Sequence, residues 1–408
     1  MNVYNFRYRL ALLGFSCVIT IIEKSLDHIC GHEQTQIRAI KNLFRNEEFL
    51  ILTASSSSIQ LPTTNNILRV LSSRREHRKN TSKALSHDVT ALQNILTGSN
   101  YPKCTGVLIP TAETPELLIC MELIARNKSL PIFALRILNQ NIIEKLNKTQ
   151  RTNLQICIEA GSIILVTETK SLEDFLLSQY SLRAHNNFLL PCSIDPDDAV
   201  LPHDERNRQH FKIGYLGGFR KEKGAYKLPN ILADLKTQLN DSETKITLEL
   251  VMQEAKHKTA IRRMIYQYKL VRSLNNSLFP DRAITIKMLD KELSPHAFIE
   301  AVSYVDILLI PYELKAYHAR GSGIIIDGVL AEKPIVYTGG IGMDEFLGFG
   351  NAESAANISE FAPQLMKVIR NLGVYRAKAT LARAAMRTKI QESATFLEQL
   401  NRSPRYFS

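Results

Sequence analysis

The sequence has 408 residues, of which 45% are apolar and 22% are charged, so most of it is expected to form globular structure. This length suits two domains of about 200 residues each. The six cysteines form no CxxC pair and the ten histidines show no metal-ligand spacing, which argues against a disulfide framework or a metal site and favours the cytoplasm. The net charge of +11 comes without tryptophan and without aromatic interleaving, which argues against nucleic acid as a partner.

The first predicted element is a buried strand at the end of the apolar run from Leu10 to Ile22. Residues 18–22 are mostly β-branched, as strands prefer. The run is too short to span a bilayer, and Glu23 and Lys24 follow it without the small residues of a cleavage site. We therefore expect a strand, with a signal peptide or anchor as the alternative.

A Gly31–His32 pair lies between this strand and a predicted helix that begins near Glu33. A glycine loop at this place can position a histidine beside a ligand. A helix-entry turn with an exposed imidazole explains the pair equally well.

Basic residues cluster from Arg74 to Lys79, and Lys83 follows in the same Ser- and Asn-rich context. One interpretation is a solvated loop. The other is a contact surface for anionic lipid head groups or a polyanionic acceptor, because each basic residue near such a surface contributes about 1 kcal/mol. The second interpretation places the protein at the inner face of a membrane, bound peripherally.

Strand-like and helix-like runs alternate through the first half of the chain, which predicts an α/β domain over residues 1–200. The predicted strands are 16–22, 49–53, 106–109, 131–135, 163–167 and 187–190, and the predicted helices are 33–45, 64–73, 85–96, 115–126, 140–147 and 171–180.

A polar, proline-bearing stretch from Asp195 to Arg208 is typical of an interdomain linker. The alternation then restarts, which predicts a second α/β domain over 201–375 and a C-terminal helix within 376–408. The predicted strands are 212–216, 246–251, 283–287, 305–310 and 335–338, and the predicted helices are 225–239, 256–273, 294–303, 324–331, 359–371 and 376–401.

The most specific motif is IGYLGGFRKEKG at residues 213–224, where a strand runs into Gly217 and Gly218. Glycines let the backbone approach a ligand closely, and the helix-like sequence that follows presents free N–H groups. Arg220 and Lys223 add positive charge at the same place. The spacing matches neither the Walker pattern nor the three-glycine dinucleotide pattern. It predicts an anion site that would suit a diphosphate.

A second loop of this kind follows the apolar strand VDILLIPY at residues 305–312. Gly321-Ser322-Gly323 leads into a helix, and the next strand ends in Thr338-Gly339-Gly340. Glycine loops at successive strand ends are typical of a doubly wound sheet, which binds its ligand at the carboxyl ends of the strands.

Together these segments resemble the nucleotide-sugar-binding half of the GT-B retaining glycosyltransferases, the group that includes glycogen and sucrose synthases. The similarity covers roughly residues 155–350 and is strongest over 211–224 and 303–345, which include DILLIP and AEKPIVYTGG. The resemblance implies a GT-B fold, with two Rossmann-like α/β domains that face each other across a cleft.

Two positions depart from the family pattern. Gly218 stands where the family usually has an arginine, and Ala319 stands where it has the first of two glutamates. The second glutamate matches Asp327, which the resemblance makes a ribose acceptor; a residue that complements the helix dipole is the alternative.

The resemblance then implies roles for particular residues. Arg220 and Lys223 would stabilise the leaving diphosphate, and His32 would act on the acceptor side, as catalytic residues. The expected donor-binding residues are Gly217, Gly218, Arg320, Ser322, Gly323 and Asp327.

The implied activity is transfer of a sugar from a nucleotide-diphosphate sugar to a glycan, a lipid-linked acceptor or a small molecule. The resemblance implies retention of configuration without a metal or other cofactor. A non-catalytic GT-B-like protein that binds a glycan or a partner is one alternative, since Ala319 lacks the acidic group, and a nucleotide-sugar epimerase is another.

Overall fold

The structure is a computed structural model that describes residues 17–26, 33–44, 49–57, 67–99, 101, 103–197, 209–240, 245–254, 283–290 and 292–402. The chain divides into two compact units: unit 1 comprises Met1–Leu190 and Lys389–Ser408, and unit 2 comprises Pro191–Thr388. Each unit contains one six-stranded parallel sheet with flanking helices, which confirms the predicted class of two Rossmann-like folds.

The sheet of unit 1 has the strand order β3-β2-β1-β4-β5-β6. Because the order reverses between β1 and β4, the carboxyl ends of these two strands border the place where doubly wound sheets bind ligands. The strands are β1 (Cys17–Ile22), β2 (Phe49–Ala54), β3 (Ile67–Leu71), β4 (Lys103–Ala112), β5 (Ile132–Ile137) and β6 (Ile163–Thr167). The helices are α1 (Glu33–Leu43), α2 (Arg74–Lys79), α3 (Thr81–Thr97), α4 (Thr114–Arg126), α5 (Asn141–Glu144), α6 (Lys148–Glu159) and α7 (Lys170–Tyr180).

Unit 2 repeats this plan with the order β12-β11-β10-β7-β8-β9, so its switch point lies between β7 and β10. Its strands are β7 (His210–Tyr215), β8 (Thr247–Gln253), β9 (Ile284–Leu289), β10 (Ile307–Ile310), β11 (Ile335–Thr338) and β12 (Ala352–Ala355). Its helices are α8 (Leu228–Asn240), α9 (Pro295–Tyr304), α10 (Leu314–Tyr317), α11 (Gly323–Leu330), α12 (Phe361–Arg370) and the start of α13 (Leu372–Arg402).

The last turns of α13 pack within unit 1. The Phe396 ring meets Phe188 edge to face at 5.4 Å between centroids, and Leu400 lies against the backbone of Gly106. A Cβ at Gly106 would lie 2.7 Å from Leu400, so glycine permits this close approach of helix and strand.

Three predicted elements of unit 1 are wrong in type or extent. The helix predicted at 64–73 is strand β3, because its short apolar run pairs in parallel with β2 and this pairing overrides local propensity. The strand predicted at 187–190 does not form, although Phe188, Leu189 and Leu190 are buried. The helix predicted at 140–147 is restricted to α5. Helices α2, α6 and α10 and strand β12 were not predicted. The helix predicted at 256–273 lies outside the described residues.

Candidate functional site

The glycine loop lies at the carboxyl end of β7, beside β10, at the switch point of unit 2. Gly217 and Gly218 have φ values of +87° and +85°, in the left-handed region that glycine adopts without strain. Gly218 is buried, but an added Cβ would meet no described heavy atom within 4 Å, so there is free space beside the backbone at this residue. The predicted glycine turn therefore presents backbone at the expected place for a ligand.

Gly224 closes the loop for a different reason. Its φ is +74°, and an added Cβ would lie 1.8 Å from the carbonyl oxygen of Pro311, at the end of β10. Only a glycine lets these two segments touch, so Gly224 fixes the loop against the neighbouring strand end.

Lys223 is 7% exposed, and its ammonium group lies over the backbone of Gly217, where an added Cβ would be 2.3 Å from Nζ. Burial lowers its pKa well below the ordinary value, and the positive charges of Arg220 and Arg320 lower it further. A lysine buried in this way carries its charge only at a high cost unless an anion faces it, which makes Lys223 the strongest indication of a ligand in unit 2.

Arg220 and Arg320 are the other two cations at this place. The Nε of Arg220 is buried and has no hydrogen-bond partner among the described residues, while its Nη1 lies 3.4 Å from Glu222. The guanidinium of Arg320 lies 5.0 Å from the centroid of the Tyr317 ring. Arg220, Lys223 and Arg320, predicted from two separate loops, therefore act on one another electrostatically.

Ser322 and Gly323 begin helix α11, as the sequence predicted. The Ser322 side chain makes no capping hydrogen bond to the helix, and its Oγ instead lies 3.3 Å from the Tyr312 hydroxyl. The first-turn N–H groups therefore lack the usual side-chain acceptor, and such groups favour an anion.

The carboxylate that links the glycine loop to the segment after β10 was not predicted from the sequence. Glu313 lies three residues after the end of β10. Its carboxylate accepts from Tyr226 and lies 2.9 Å from Lys227 Nζ, and its N–H donates to the Glu222 carbonyl. Lys227 Nζ also donates to the carbonyl of Tyr312. A carboxylate directly after a predicted strand was the available signal, but its partners lie more than 80 residues away in sequence.

The ribose-binding role predicted for Asp327 does not agree with its surroundings. Its side chain is fully buried, and Oδ1 accepts from the backbone N–H groups of Ser193 at 2.8 Å and Ile194 at 3.0 Å. Burial raises its pKa to about 6, and the two N–H groups oppose that rise. The carboxylate accepts hydrogen bonds from the backbone of a segment inside unit 2 and has no exposed surface for a ribose. It also lies beyond the first turn of α11, so it does not complement the helix dipole.

We expect Asp327→Ala to lower the free energy of unfolding by about 2–3 kcal/mol, because two buried N–H groups lose their acceptor. Asp327→Asn keeps an acceptor oxygen and should retain most of that stability. Thermal unfolding and UDP titration of both variants check this expectation. Weaker UDP binding by a fully folded Asp327→Asn variant would restore the ribose-binding role.

His32 lies outside the described residues, so its acceptor-side role stays a prediction. The described residues place other ionisable groups at the switch point of unit 1. Glu23 follows β1 directly, is 2% exposed, and has its pKa raised by burial to about 7, against the opposing effect of Arg74. A carboxyl group that titrates near neutrality at a strand end is typical of functional sites.

Arg74 lies at the centre of this group and is not part of a solvated loop. Residues 74–79 form α2, whose N-cap Ser73 makes a capping box with Glu76. The Arg74 guanidinium lies 3.4 Å from Glu113, 3.8 Å from Glu23 and 3.9 Å from Glu33, and it donates to the Thr111 carbonyl. The solvated-loop interpretation is therefore wrong for Arg74, whereas Arg75, Arg78, Lys79 and Lys83 are exposed.

Next to this group Lys24 is buried with acidic partners. Its Nζ lies 2.7 Å from Asp88 and 2.9 Å from Glu116, and 2.9 Å from Nε2 of His77. Burial alone would lower the pKa of Lys24, but Glu116 and Asp88 outweigh it and raise the pKa above its ordinary value. This network joins β1, α2, α3 and α4 and supports the strand end that carries Glu23.

The described ranges also bear on two other features, metal sites and membrane-spanning helices. Within them no three His, Cys, Asp or Glu side chains converge as a metal site requires, and metal independence stays a prediction. None of the helices described is both long and apolar enough to cross a membrane.

No protein-family model matches the chain, and no curated protein matches it in sequence. Solved structures do match. The HepE protein of Anabaena, in complex with UDP and glucose, is 12% identical with a TM-score of 0.62, and the match covers 94% of this chain and 99% of that one.

A glycosyltransferase from Rickettsia africae is 11% identical with a TM-score of 0.65, over 96% and 100% of the two chains. A UDP-forming trehalose-phosphate synthase from Burkholderia xenovorans is 10% identical with a TM-score of 0.62, over 95% and 99%. These similarities span both six-stranded units, and the chain therefore has the GT-B fold.

Proposed function

We propose that this protein is a glycosyltransferase that uses a nucleotide-diphosphate sugar. The observation that carries the proposal is the buried, positively charged glycine loop of unit 2, where Lys223 lies over Gly217 and shares its surroundings with Arg220 and Arg320. HepE, which has the same fold, binds UDP and glucose, and this supports a nucleotide sugar as the donor.

The chemistry follows from the charge that develops on the leaving group. As the bond from the sugar to the diphosphate breaks, negative charge grows on the phosphate oxygens, and donors already in place stabilise it. Arg220, Lys223 and the N–H groups of the first turn of α11 supply such donors without a metal ion. From the resemblance to the retaining GT-B enzymes, we propose transfer with retention of configuration, without an enzymic nucleophile and without a cofactor.

The acceptor site is proposed at the switch point of unit 1. Glu23 and Arg74 offer an acceptor and a donor of hydrogen bonds side by side, which suits the hydroxyl groups of a sugar. Glu33 Oε2 and Arg74 Nε are buried there without a partner among the described residues. A glycan, a lipid-linked acceptor or a small molecule fits this chemistry. His32, which lies outside the described residues, keeps its predicted acceptor role.

One observation favours a second candidate, a GT-B-like protein that binds a glycan or a partner without catalysis. Ala319 is fully buried at the position where the related family carries its first glutamate, so no carboxylate is available at that place. An epimerase on the same fold is a third candidate. Release of nucleoside diphosphate that depends on an acceptor distinguishes the glycosyltransferase from the non-catalytic protein and from the epimerase.

A thermal-shift panel of UDP, GDP, ADP and CMP identifies the nucleotide, and its sugar conjugate is then assayed with candidate acceptors. We expect acceptor-dependent release of the nucleoside diphosphate that survives EDTA. Binding of nucleotide without release would favour the non-catalytic candidate, and interconversion of the sugar without an acceptor would favour the epimerase. Loss of binding on addition of EDTA would contradict the metal-independent proposal.

We also propose peripheral contact with an anionic membrane through α2 and the start of α3. Changing Arg78 and Lys79 to Gln should weaken co-sedimentation with phosphatidylserine-containing vesicles by about 1 kcal/mol for each charge removed, and salt should weaken it further. Lys145→Gln with Lys148→Gln, two exposed changes in the same unit, is the control. Equal sedimentation of wild type with neutral and anionic vesicles would contradict this contact.

A further inference from the structure

Two lysines of similar burial differ in their counter-ions. Lys24 is 6% exposed and lies within 3 Å of two carboxylates, Asp88 and Glu116. Lys223 is 7% exposed, and among the described residues it forms no ion pair. A buried ammonium group without an anion is costly, and a lysine in this position lowers that cost by giving up its proton.

The groups that face Lys223 come from four parts of unit 2. Its own loop contributes Arg220 and Glu222, and the loop before α11 contributes Arg320. The end of β10 contributes the Tyr312 ring, whose centroid lies 5.4 Å from Nζ, and the segment after Pro191 contributes the Cys192 thiol.

The balance of these charges is positive. Two guanidinium groups stand against one carboxylate, Glu222, which already lies 3.4 Å from Arg220. The two tyrosines at this place, Tyr312 and Tyr317, both have their pKa raised by burial, so neither supplies a negative charge near neutrality. Burial and the two guanidinium groups both lower the pKa of Lys223, which agrees with the excess of positive charge around it.

We propose that the empty glycine loop holds Lys223 as the uncharged amine, and that a nucleoside diphosphate binds together with one proton, which Lys223 takes up. The inference rests on the proposed function, since it concerns the donor site. The proton passes from solvent to the Nζ lone pair, and no bond to the ligand forms or breaks. The diphosphate provides the anion that the chain does not, and it stabilises the ammonium form.

Proton uptake fixes how the affinity depends on pH. Binding favours the protonated form, so affinity is greatest below the pKa of Lys223 in the empty site. Above that pKa the affinity falls as pH rises, by up to tenfold for each pH unit, until the pKa of Lys223 in the complex is reached. If Lys223 were charged over the whole pH range, its titration would cause no fall in affinity.

The test is calorimetric titration of the full chain with UDP at pH 8, in two buffers that differ in ionisation enthalpy. The observed binding enthalpy is plotted against the ionisation enthalpy of the buffer, and the slope gives the number of protons exchanged on binding. We expect about one proton taken up per UDP. The diphosphate of UDP is almost fully ionised at pH 8, and nearby cations favour its ionised form. Any change in its own protonation on binding would therefore release protons and not take them up.

Variants assign the proton to one residue. Lys223→Arg carries a charge that it cannot lose, and Lys223→Met carries none, so uptake should vanish in both. Lys221→Met changes an exposed lysine two residues away and should keep the uptake. If Lys223→Met fails to fold, the fall in wild-type affinity between pH 6 and pH 9 provides a second measurement.

The outcomes separate the two proposals. UDP binding without proton uptake, or equal uptake in a folded Lys223→Met variant, would overturn this inference and leave the proposed function intact. Absence of binding by UDP, GDP and ADP alike would overturn the proposed function and this inference with it.

Discussion

Lys223→Met is expected to weaken binding of the nucleoside diphosphate by about 2–3 kcal/mol, or roughly 30- to 150-fold, as the loss of a charge-assisted hydrogen bond does. The same change should raise the free energy of unfolding by about 0.5–2 kcal/mol, because a buried lysine with no counter-ion is a cost to the fold. Calorimetry and chemical denaturation measure the two quantities on one variant.

The pH dependence of that stability gain has a definite sign. The pKa of Lys223 is lower in the folded chain than in the unfolded chain, so the unfolded state binds more protons between the two pKa values. The stability of wild type therefore rises with pH across that window, and the advantage of the methionine variant should be larger at pH 6 than at pH 10.

Lys221→Met is the matched control, because Lys221 lies in the same turn and is exposed. It should change both quantities by less than about 0.5 kcal/mol. If Lys223→Met bound UDP as tightly as wild type, the phosphate-binding role of Lys223 would be wrong, whatever its effect on stability.

Glu23→Gln is expected to change the pH dependence of stability by on the order of 3 kcal/mol. Burial raises the pKa of Glu23 from 4.5 to about 7, so the folded state binds more protons than the unfolded state between these values. Wild-type stability should fall as pH rises through this window, and glutamine removes that fall because it does not ionise. The variant should therefore gain stability over wild type from pH 5 to pH 8.

Denaturant unfolding at pH 5 and pH 8 measures this difference. Glu144→Gln makes the same change at an exposed site of unit 1, and its effect should stay below about 0.5 kcal/mol at both pH values. An equal effect of Glu23→Gln at the two pH values would show that Glu23 ionises as it does in the unfolded chain, and would remove the reason for placing it in the acceptor site.

The glycine loop could be predicted from sequence because its requirements are local. Gly217, Gly218 and Gly224 need positive φ, and Arg220 and Lys223 lie within the same short stretch. Local spacing is sufficient to recognise such a loop. Most strands of both sheets, though neither β3 nor β12, were predicted for a similar reason, because buried parallel strands are continuous apolar runs.

Asp327 and Arg74 show where sequence reasoning fails. Asp327 takes its hydrogen bonds from residues 193 and 194, more than 130 positions earlier, so its burial could not be inferred from its place in the helix. Arg74 stood in a run of basic residues, and only the fold brings Glu23, Glu33 and Glu113 to it. Partners distant in sequence decide whether a charge is solvated or buried.

A nucleoside diphosphate is proposed to bind at the carboxyl ends of β7 and β10 in unit 2. Hydrogen–deuterium exchange of the full chain, with and without saturating UDP, GDP or ADP, tests this binding site. We predict that one of these nucleotides slows exchange in peptides that cover residues 217–224 and 321–326. Protection confined to other peptides, or no protection by any of the three, would show that the nucleotide does not bind there.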